Sequence, residues 1–582
     1  MSRFYNLFAA QDQTPERRAW HGIYADYFVG RELVLDIGCG AGTFLEVLRD
    51  RDIGGKGIDF DPQMVQRCRE KGLDAAVHDM RDLAGRDIHP DAIHASHVVE
   101  HLDGPAAVAL LEWCAQALPP GGLLVLRTPN WGNEQVRDGG FWLDYTHVRP
   151  YPLVLLRVVL TALGMEILQS GHEPMGWQDT FVISRKPGPA KDRAVSAPDD
   201  LARRVRVRWE GSFFLHHSLA HVNREMAAAL LDLEAPVDLT LWPTDPHQFS
   251  SDEDPGRYRR LAERFFRPGE GGLPVTVRHR WPPDFTRPAE GALVIVQPWE
   301  FGAMPVEWVG PMRDCVDEVW VPSAYVKACY VAGGVPADKI AVVPNGVNPA
   351  VFHLDVTPVA LPVRQAFKFL SVGPLLHRKG TDLLLQAYTQ EFTARDDVAL
   401  ILKDLGGGSP YTADRQFVDL LRKMGQESGA PEILYLAQNV TIAEMAALYR
   451  TCSCLVHPYR GEGFGLPIAE AMACGLPVIV TDAGACLDFC DQTTAFLVPA
   501  EKRVSGQSCV GQLATAGSTW WYEADVGALR QAMRWAYENR AEAQALGSRA
   551  ASKIREQFTW ERSAQKACER LAELAQRWQL GP

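Results

Sequence analysis

The chain has 582 residues, 47% hydrophobic and 23% charged, with a formal net charge of −13. Such a length exceeds what one hydrophobic core can organise, so about three or four domain-sized units are expected. The acidic balance counts against a general binder of nucleic-acid backbone. The stretch from Met1 to Trp20 lacks an apolar core with a small-residue cleavage site, so no secretory signal is expected. No apolar run reaches the roughly eighteen residues a membrane span needs. Twelve cysteines are scattered without a CxxC pair, as expected of buried, reduced thiols in the cytoplasm.

From Leu33 the chain reads LVLDIGCGAGTFLEVL, a buried strand, a glycine turn and the start of a helix. Gly38, Gly40 and Gly42 have GxGxG spacing, not the GxGxxG of dinucleotide binders. KGIDFD ends a second strand at Asp59, where a carboxylate can take a ribose diol. AAVHDM ends a third at Asp79, suited to an adenine amine. AIHASHVVEHL and GGLLVLRTPN supply strands four and five of an alternating α/β sheet, which the helix LVLLRVVLTALGMEIL and the strand DTFVISRK close. The ordered set of Asp36, Gly38, Gly40, Asp59, Asp79 and PPGGLLVL resembles the class I S-adenosylmethionine-dependent methyltransferases over about 150 residues. The resemblance implies that Asp36 and the three glycines hold the methionine part of the cofactor. It gives the ribose to Asp59 and the adenine to Asp79 with Met80, and Phe60 joins the cofactor-binding set. An NAD-binding unit is the alternative, disfavoured by the loop spacing and by HVVEHL.

His97, Glu100 and His101 also fit the H-x-x-E-H pattern of zinc peptidases. That reading fails because the pattern needs a helix, whereas this run ends a strand, and no third ligand is evident. FWLDYTHVRPYP, Phe141 to Pro152, concentrates aromatics with Asp144, His147 and Arg149 in one loop. Methyl transfer to a hydroxyl needs a base. His147 and His101 are the candidates, with Asp144 to orient one of them.

Lys186 to Asp200 is rich in proline, alanine and charge, and reads as a linker. In RRVRVRWEG, Arg204, Arg206 and Arg208 alternate with Val205, Val207 and Trp209, as in a first strand with a solvated face. GSFFLHHSLAHVNREMAAALL is a glycine loop feeding a helix, with His216, His217, Ser218 and Asn223 as polar candidates. ALVIVQPWEFG delivers Trp299 and Glu300 to a loop. Trp299 suits a sugar face or a core equally. Arg257, Arg259, Arg260, Arg264 and Arg267 read as a solvated helix face, with a membrane surface as the weaker alternative.

FKFLSVGPLLHRKGTDLLLQAY is strand, loop and helix, and puts Arg378 and Lys379 where two cations suit a diphosphate. Lys403 ends another strand and Gln438, Asn439 and Val440 a third. GEGFGLPIAEAMACGLPVIVT, Gly461 to Thr481, is the most informative run. Gly461, Gly463 and Gly465 free backbone N–H groups for close approach to a ligand. Pro467 fits a first helical turn, Gly475 a C-cap and PVIVT a buried strand. A glycine loop opening onto a helix N-terminus is an anion site. Glu462 and Glu470 add carboxylates that can accept from sugar hydroxyls. Their spacing, with seven residues between, resembles the paired-glutamate motif of retaining GT-B glycosyltransferases, in particular glycosyltransferase family 4. The likeness covers roughly 380 residues.

By that resemblance Glu470 holds the ribose and Glu462 the transferred sugar. Arg378 and Lys379 stabilise the leaving diphosphate, and Asn439 and Val440 read the base through the backbone. Gly463, Phe464, Gly465 and Leu466 line the donor. Family members often carry a histidine where this chain has Gln297-Pro298-Trp299-Glu300. The stretch from Ala500 to Ser518 reads as an extra loop rich in glycine and serine.

The expected architecture is α/β with three Rossmann-like units. They are a methyltransferase domain over 1–185, a linker over 186–200, an acceptor lobe over 201–360 and a donor lobe over 361–550. A helix over 551–582 crosses back to the acceptor lobe. The expected function is bifunctional: hexosyl transfer from a UDP- or GDP-linked sugar to a glycan or lipid-linked glycan, and O-methylation of a sugar hydroxyl by S-adenosylmethionine. No metal and no nucleic acid are expected. The setting is polysaccharide biosynthesis in the cytoplasm, at the inner face of the plasma membrane, with peripheral contact to it. The alternatives are a non-catalytic docking role for the first domain, or methylation of a non-glycan acceptor.

Overall fold

A computed structural model of the chain describes residues 18, 21–22, 24–83, 88–144, 146–172, 179–187, 205–213, 217–233, 237–244, 260–261, 264–266, 272–404, 429–438 and 440–579. The chain forms two compact units. One comprises Met1–Leu201, Gly211–His216 and Thr240–Gly269, and the other Ala202–Glu210, His217–Leu239 and Glu270–Pro582. Most of the linker assigned to 186–200 lies outside the described residues, as do Arg204, His216, Arg257, Arg259, Arg267 and Asn439.

The first unit holds a seven-stranded sheet of β1 (Val34–Ile37), β2 (Gly55–Asp59), β3 (Ala75–Val77), β4 (Ala92–Ser96), β5 (Leu123–Pro129), β6 (Glu166–His172) and β7 (Asp179–Arg185). The order is β3-β2-β1-β4-β5-β7-β6. β1 runs parallel to both β2 and β4, and β7 is antiparallel to β5 and β6. Strand order reverses between β1 and β4, which puts a crevice at their carboxyl ends, where ligands of such sheets bind. β1 is buried along its whole length, as a strand covered on both faces must be. One expected helix is shorter than its pattern suggested. It spans Leu153–Ala162, and the following GMEIL turns into β6, because Gly164 takes a left-handed φ of 78° and stops the helix.

Two six-stranded sheets belong to the second unit, apart from Gly211 and residues 240–243, which group with the first. One contains β8 (Val205–Gly211), β9 (Val237–Pro243), β10 (Leu273–His279), β11 (Ala292–Val296), β12 (Glu318–Val321) and β13 (Ile340–Val342), in the order β13-β12-β11-β10-β8-β9. The other contains β14 (Phe367–Val372), β15 (Val398–Lys403), β16 (Glu432–Leu436), β17 (Cys454–His457), β18 (Val478–Thr481) and β19 (Phe496–Val498), in the order β16-β15-β14-β17-β18-β19. The second of these is parallel throughout. With the first unit, this makes three α/β sheets of Rossmann type, as the sequence implies.

The helix Trp560–Gln579 brings Arg570 and Arg577 onto Glu318, which is 1% exposed at the start of β12. Residues after Val498 do not form the loop expected from their glycines and serines. They make an antiparallel ribbon of β20 (Ala500–Val504) with β23 (Trp520–Ala524), enclosing β21 (Cys509–Val510) and β22 (Leu513–Ala514). Aromatic packing outweighs composition there. Trp520 stacks edge-on against Tyr325 and Tyr522, and its carbonyl accepts from the Gly302 N–H. No described helix is long and apolar enough to cross a membrane.

Candidate functional site

At the end of β1 the glycine loop is pinned by the carboxylate at the end of β2. Asp59 accepts from the Gly40 and Asp61 N–H groups, both at 2.9 Å. One oxygen is therefore engaged by the glycine loop and the other by the turn that follows β2, and burial pushes its proton affinity up despite those bonds. Gly40 sits at φ 50°, and a Cβ there would meet nothing within 4 Å. This open ground beside Asp59, at the carboxyl edge of β1, fits an approaching cofactor. Asp36 does not face it freely. Its carboxylate lies 2.7 Å from His94 Nδ1 on the neighbouring strand, with both groups buried. Asp79 turns its carboxylate to its own Arg81 N–H. Met80 packs against the core of the unit, and Phe60 is exposed.

The run after β4 is a short 3-10 turn, Val99–His101, and not a long helix. His97, at φ 55°, turns away to Asp179 at 2.8 Å and to Glu100 at 3.1 Å. Burial opposes charge on this ring, but the two carboxylates override it and raise it to about 10. His101 and His147 do meet, with ring centroids 4.7 Å apart. Their partners fix the tautomers. His147 Nδ1 is 2.6 Å from the Phe141 carbonyl, which can only accept, so Nδ1 carries the hydrogen and Nε2 the lone pair. The Thr146 hydroxyl donates to Asp144 at 2.5 Å and therefore accepts from His101 Nδ1 at 2.9 Å. In the neutral form both rings are left with the lone pair on Nε2. Burial lowers the proton affinity of His147. Sequence reasoning missed Thr146, which links Asp144 to His101. It also found no third ligand for the H-x-x-E-H run. In the fold, Glu100, His101 and His147 bring ligand-capable atoms within 4.8 Å of one another, because the 141–152 loop is strapped to the turn by its Val148 N–H on the Glu100 carbonyl.

In the second unit, β14 and β17 end side by side. The loop after β14 carries Arg378 and Lys379 in a 3-10 turn, and the loop after β17 carries Glu462. Lys379 Nζ bonds directly to Glu462, Arg378 Nη1 lies 3.7 Å from it, and His457 Nε2 reaches it at 2.9 Å. Burial alone would raise the Glu462 carboxyl. Lys379, the His457 hydrogen bond and Arg378 outweigh burial and hold it well below the usual carboxylate range. His457 was not singled out from sequence, although a histidine ending a buried strand five residues before the glutamate was the available signal. Glu470 lies in the helix Leu466–Ala473, opened by Gly465 with Pro467 in its first turn. Tyr449 donates to it at 2.9 Å, and His221 Nε2 lies 4.0 Å away. Burial raises Glu470 to about 7, with Tyr449 opposing and Glu225 adding.

Two glycines of this segment also have a packing role. A Cβ on Gly461 would come 2.0 Å from the Glu300 carbonyl oxygen, and one on Gly463 would come 3.1 Å from Pro298 Cβ. They admit the backbone of the 298–300 loop. Glu300 then places Oε1 3.6 Å from Arg378 Nη2. Phe464 is 3% exposed and packs on Phe489, so only its backbone can serve a ligand. Leu466 is half-buried at the helix start, as is Val440 beyond β16. Lys403 turns onto the Asp404 carbonyl. Asn223 is buried against Trp209 and His279. Trp299 is buried, with its Nε1 donating to the Ala303 carbonyl. Among the sugar-binding candidates of the acceptor side, these two belong to the core.

Residues 5–170 match the family described as methyltransferase domain, and residues 366–514 match glycosyl transferases group 1. The lipopolysaccharide core biosynthesis mannosyltransferase LpsB of Rhizobium meliloti (strain 1021) is 34% identical over 127 residues, 22% of this chain and 34% of that protein. The ubiquinone biosynthesis O-methyltransferase of Xylella fastidiosa (strain 9a5c) is 36% identical over 104 residues, 17% of this chain and 42% of that protein. The structure of Anabaena HepE in complex with UDP and glucose aligns with 63% of this chain and 99% of its own, at 13% identity and a TM-score of 0.45. The chain spans between 28% and 51% of the length of these and similar curated relatives.

Proposed function

We propose, for a chain that joins a methyltransferase domain to a group 1 glycosyltransferase domain, that it builds a glycan with both. The second unit transfers a hexosyl group from a UDP- or GDP-linked sugar, with retention, to a glycan or lipid-linked glycan. The first methylates a hydroxyl of that glycan. The observation that carries the sugar-transfer reading is the junction of Arg378, Lys379 and Glu462 beside the helix that bears Glu470. Two cations there offset the charge that gathers on a leaving diphosphate, and Glu462 and Glu470 accept from sugar hydroxyls. The leaving diphosphate takes the acceptor's proton on the face it departs from, so configuration is retained. A hydrolysis panel of UDP- and GDP-sugars on the purified protein identifies the donor. No turnover of any nucleotide sugar would sink the proposal. Sugar transfer is expected to survive a chelator, and its collapse in EDTA would put a metal into the reaction.

For methyl transfer, Asp59 and the loop at Gly40 would hold S-adenosylmethionine, which supplies an electrophilic methyl group when bound. His147 or His101 accepts the hydroxyl proton on Nε2. His147→Ala is expected to lower the methyl-transfer kcat by about 10²–10³ while cofactor affinity, read by calorimetry, stays unchanged. In the wild type the acid limb of the pH profile should lie below the ordinary histidine value of 6.5, since burial favours the neutral ring. The second reading is a docking role for the first unit. Cofactor binding without methyl transfer to any glycan would favour it. The shared glycan itself is supported by the two domains occurring in one chain, and the setting proposed for it is the cytoplasmic face of the membrane.

A further inference from the structure

We infer that Glu300 is the acceptor-side carboxylate of the sugar-transfer site, held on Arg378 until the donor diphosphate displaces it toward the acceptor's hydroxyl. This rests on the glycosyl-transfer reading above and adds an order of binding to it, donor before acceptor.

The charges at the junction force a choice. Arg378 and Lys379 bring two positive charges. Glu462 and Glu300 already bring two negative ones, within 3.7 Å of Arg378. A nucleoside diphosphate adds about two more, so one carboxylate has to give up its cation. Glu462 is the worse candidate to move. Its side chain is 8% exposed, and both Lys379 and His457 hold it. Glu300 is the better one. Its side chain is 29% exposed, and its contact with Arg378 is long at 3.6 Å. It also stands on a different sheet from the donor loop, after β11, so its release breaks no bond within the donor loop.

The backbone at Glu300 stays in place during such an exchange. Its carbonyl is packed on Gly461, the next carbonyl but two accepts from Trp299, and Trp299 is buried beside it. Only the side chain has freedom to swing. A carboxylate released there is an acceptor for a sugar hydroxyl, and it becomes available only after Arg378 has taken the diphosphate. The role is positional: Glu300 orients the acceptor and gates its arrival, while the proton leaves to the donor's own phosphate.

The test is Glu300→Gln, which keeps shape and removes charge. UDP and GDP are the probes, titrated by calorimetry into the full chain at low salt. The variant should bind the diphosphate that the wild type binds about three- to tenfold more tightly, and the gain should shrink as salt is raised. In steady state its acceptor KM should rise, while Glu300→Asp restores the wild-type pattern. A damaged fold weakens binding and cannot produce the gain. Unchanged or weaker diphosphate binding by the variant, with the wild type binding normally, overturns the inference and leaves the sugar-transfer reading standing. If the wild type binds neither UDP nor GDP, that reading falls and takes this one with it.

Discussion

Lys379→Met is expected to destabilise the second unit by about 3–5 kcal/mol, because it strands a buried carboxylate. Lys379 is the direct partner of Glu462, whose side chain is 8% exposed. Arg378 at 3.7 Å and His457 at 2.9 Å remain, but neither replaces a directly bonded ammonium. Urea unfolding of the variant should show the loss as a lower midpoint for the second unit, with the first unit's cofactor binding unchanged. Sugar transfer should fall about 10²–10³-fold, the usual effect of removing one group that stabilises charge in the transition state. The double variant Lys379→Met with Glu462→Gln separates the two roles. Removing both charges should restore most of the stability, as neutralising a buried pair commonly does, and leave the transfer activity lost. A single variant as stable as the wild type would show that Glu462 is not held by this lysine.

Glu470→Gln should do the opposite to stability. Burial, opposed by Tyr449 and reinforced by Glu225, lifts this carboxyl from 4.5 to about 7. Below pH 4.5 it is protonated in the folded and the unfolded chain alike, and costs nothing. As pH rises toward 7 the unfolded chain ionises first, so stability is progressively lost, and the cost is complete above 7. A tenfold change in proton affinity corresponds to about 1.4 kcal/mol, which puts the full cost at about 3 kcal/mol. The glutamine variant should exceed the wild type by up to that amount at pH 8, and the gap should close by pH 4.5. Its sugar transfer should nonetheless drop about 10- to 100-fold, since an amide cannot accept from both hydroxyls of a ribose as a carboxylate does. Donor affinity of the wild type should weaken as pH falls below about 7. A variant that is both fully active and no more stable would remove Glu470 from the donor site.

Much of the architecture was legible in local pattern. Strand, glycine turn and helix recur at LVLDIGCGAG and at the RKG and GEGFG loops, because each such joint needs a backbone that only certain residues tolerate. The partners of the key groups were not legible. Tyr449 and Thr146 are chemically ordinary and become informative only when the helix Ile442–Thr451 and the loop after Phe141 are folded onto their neighbours, while His457 left only the faint signal of a histidine ending a buried strand. The resemblance gives Asp59 to the cofactor's ribose, yet one of its oxygens also pins the loop through Gly40 while the other closes its own turn at Asp61. Composition misled at Ala500 to Ser518. Its glycines and serines suggest a loop, but the strand-forming aromatics that pair it, Trp520, Trp521 and Tyr522, lie just beyond it in the chain.

The close approach at Gly461 binds its two partners unequally. Residue 461 must lack a side chain, since any Cβ would collide with the carbonyl at 300. Residue 300 contributes to that contact only an oxygen that every amino acid carries. A library randomised at both positions and screened for folded protein should therefore return glycine at 461 and almost any residue at 300. Whatever narrows the choice at 300 once selection is for turnover is then a record of chemistry alone, written at a position the fold leaves free.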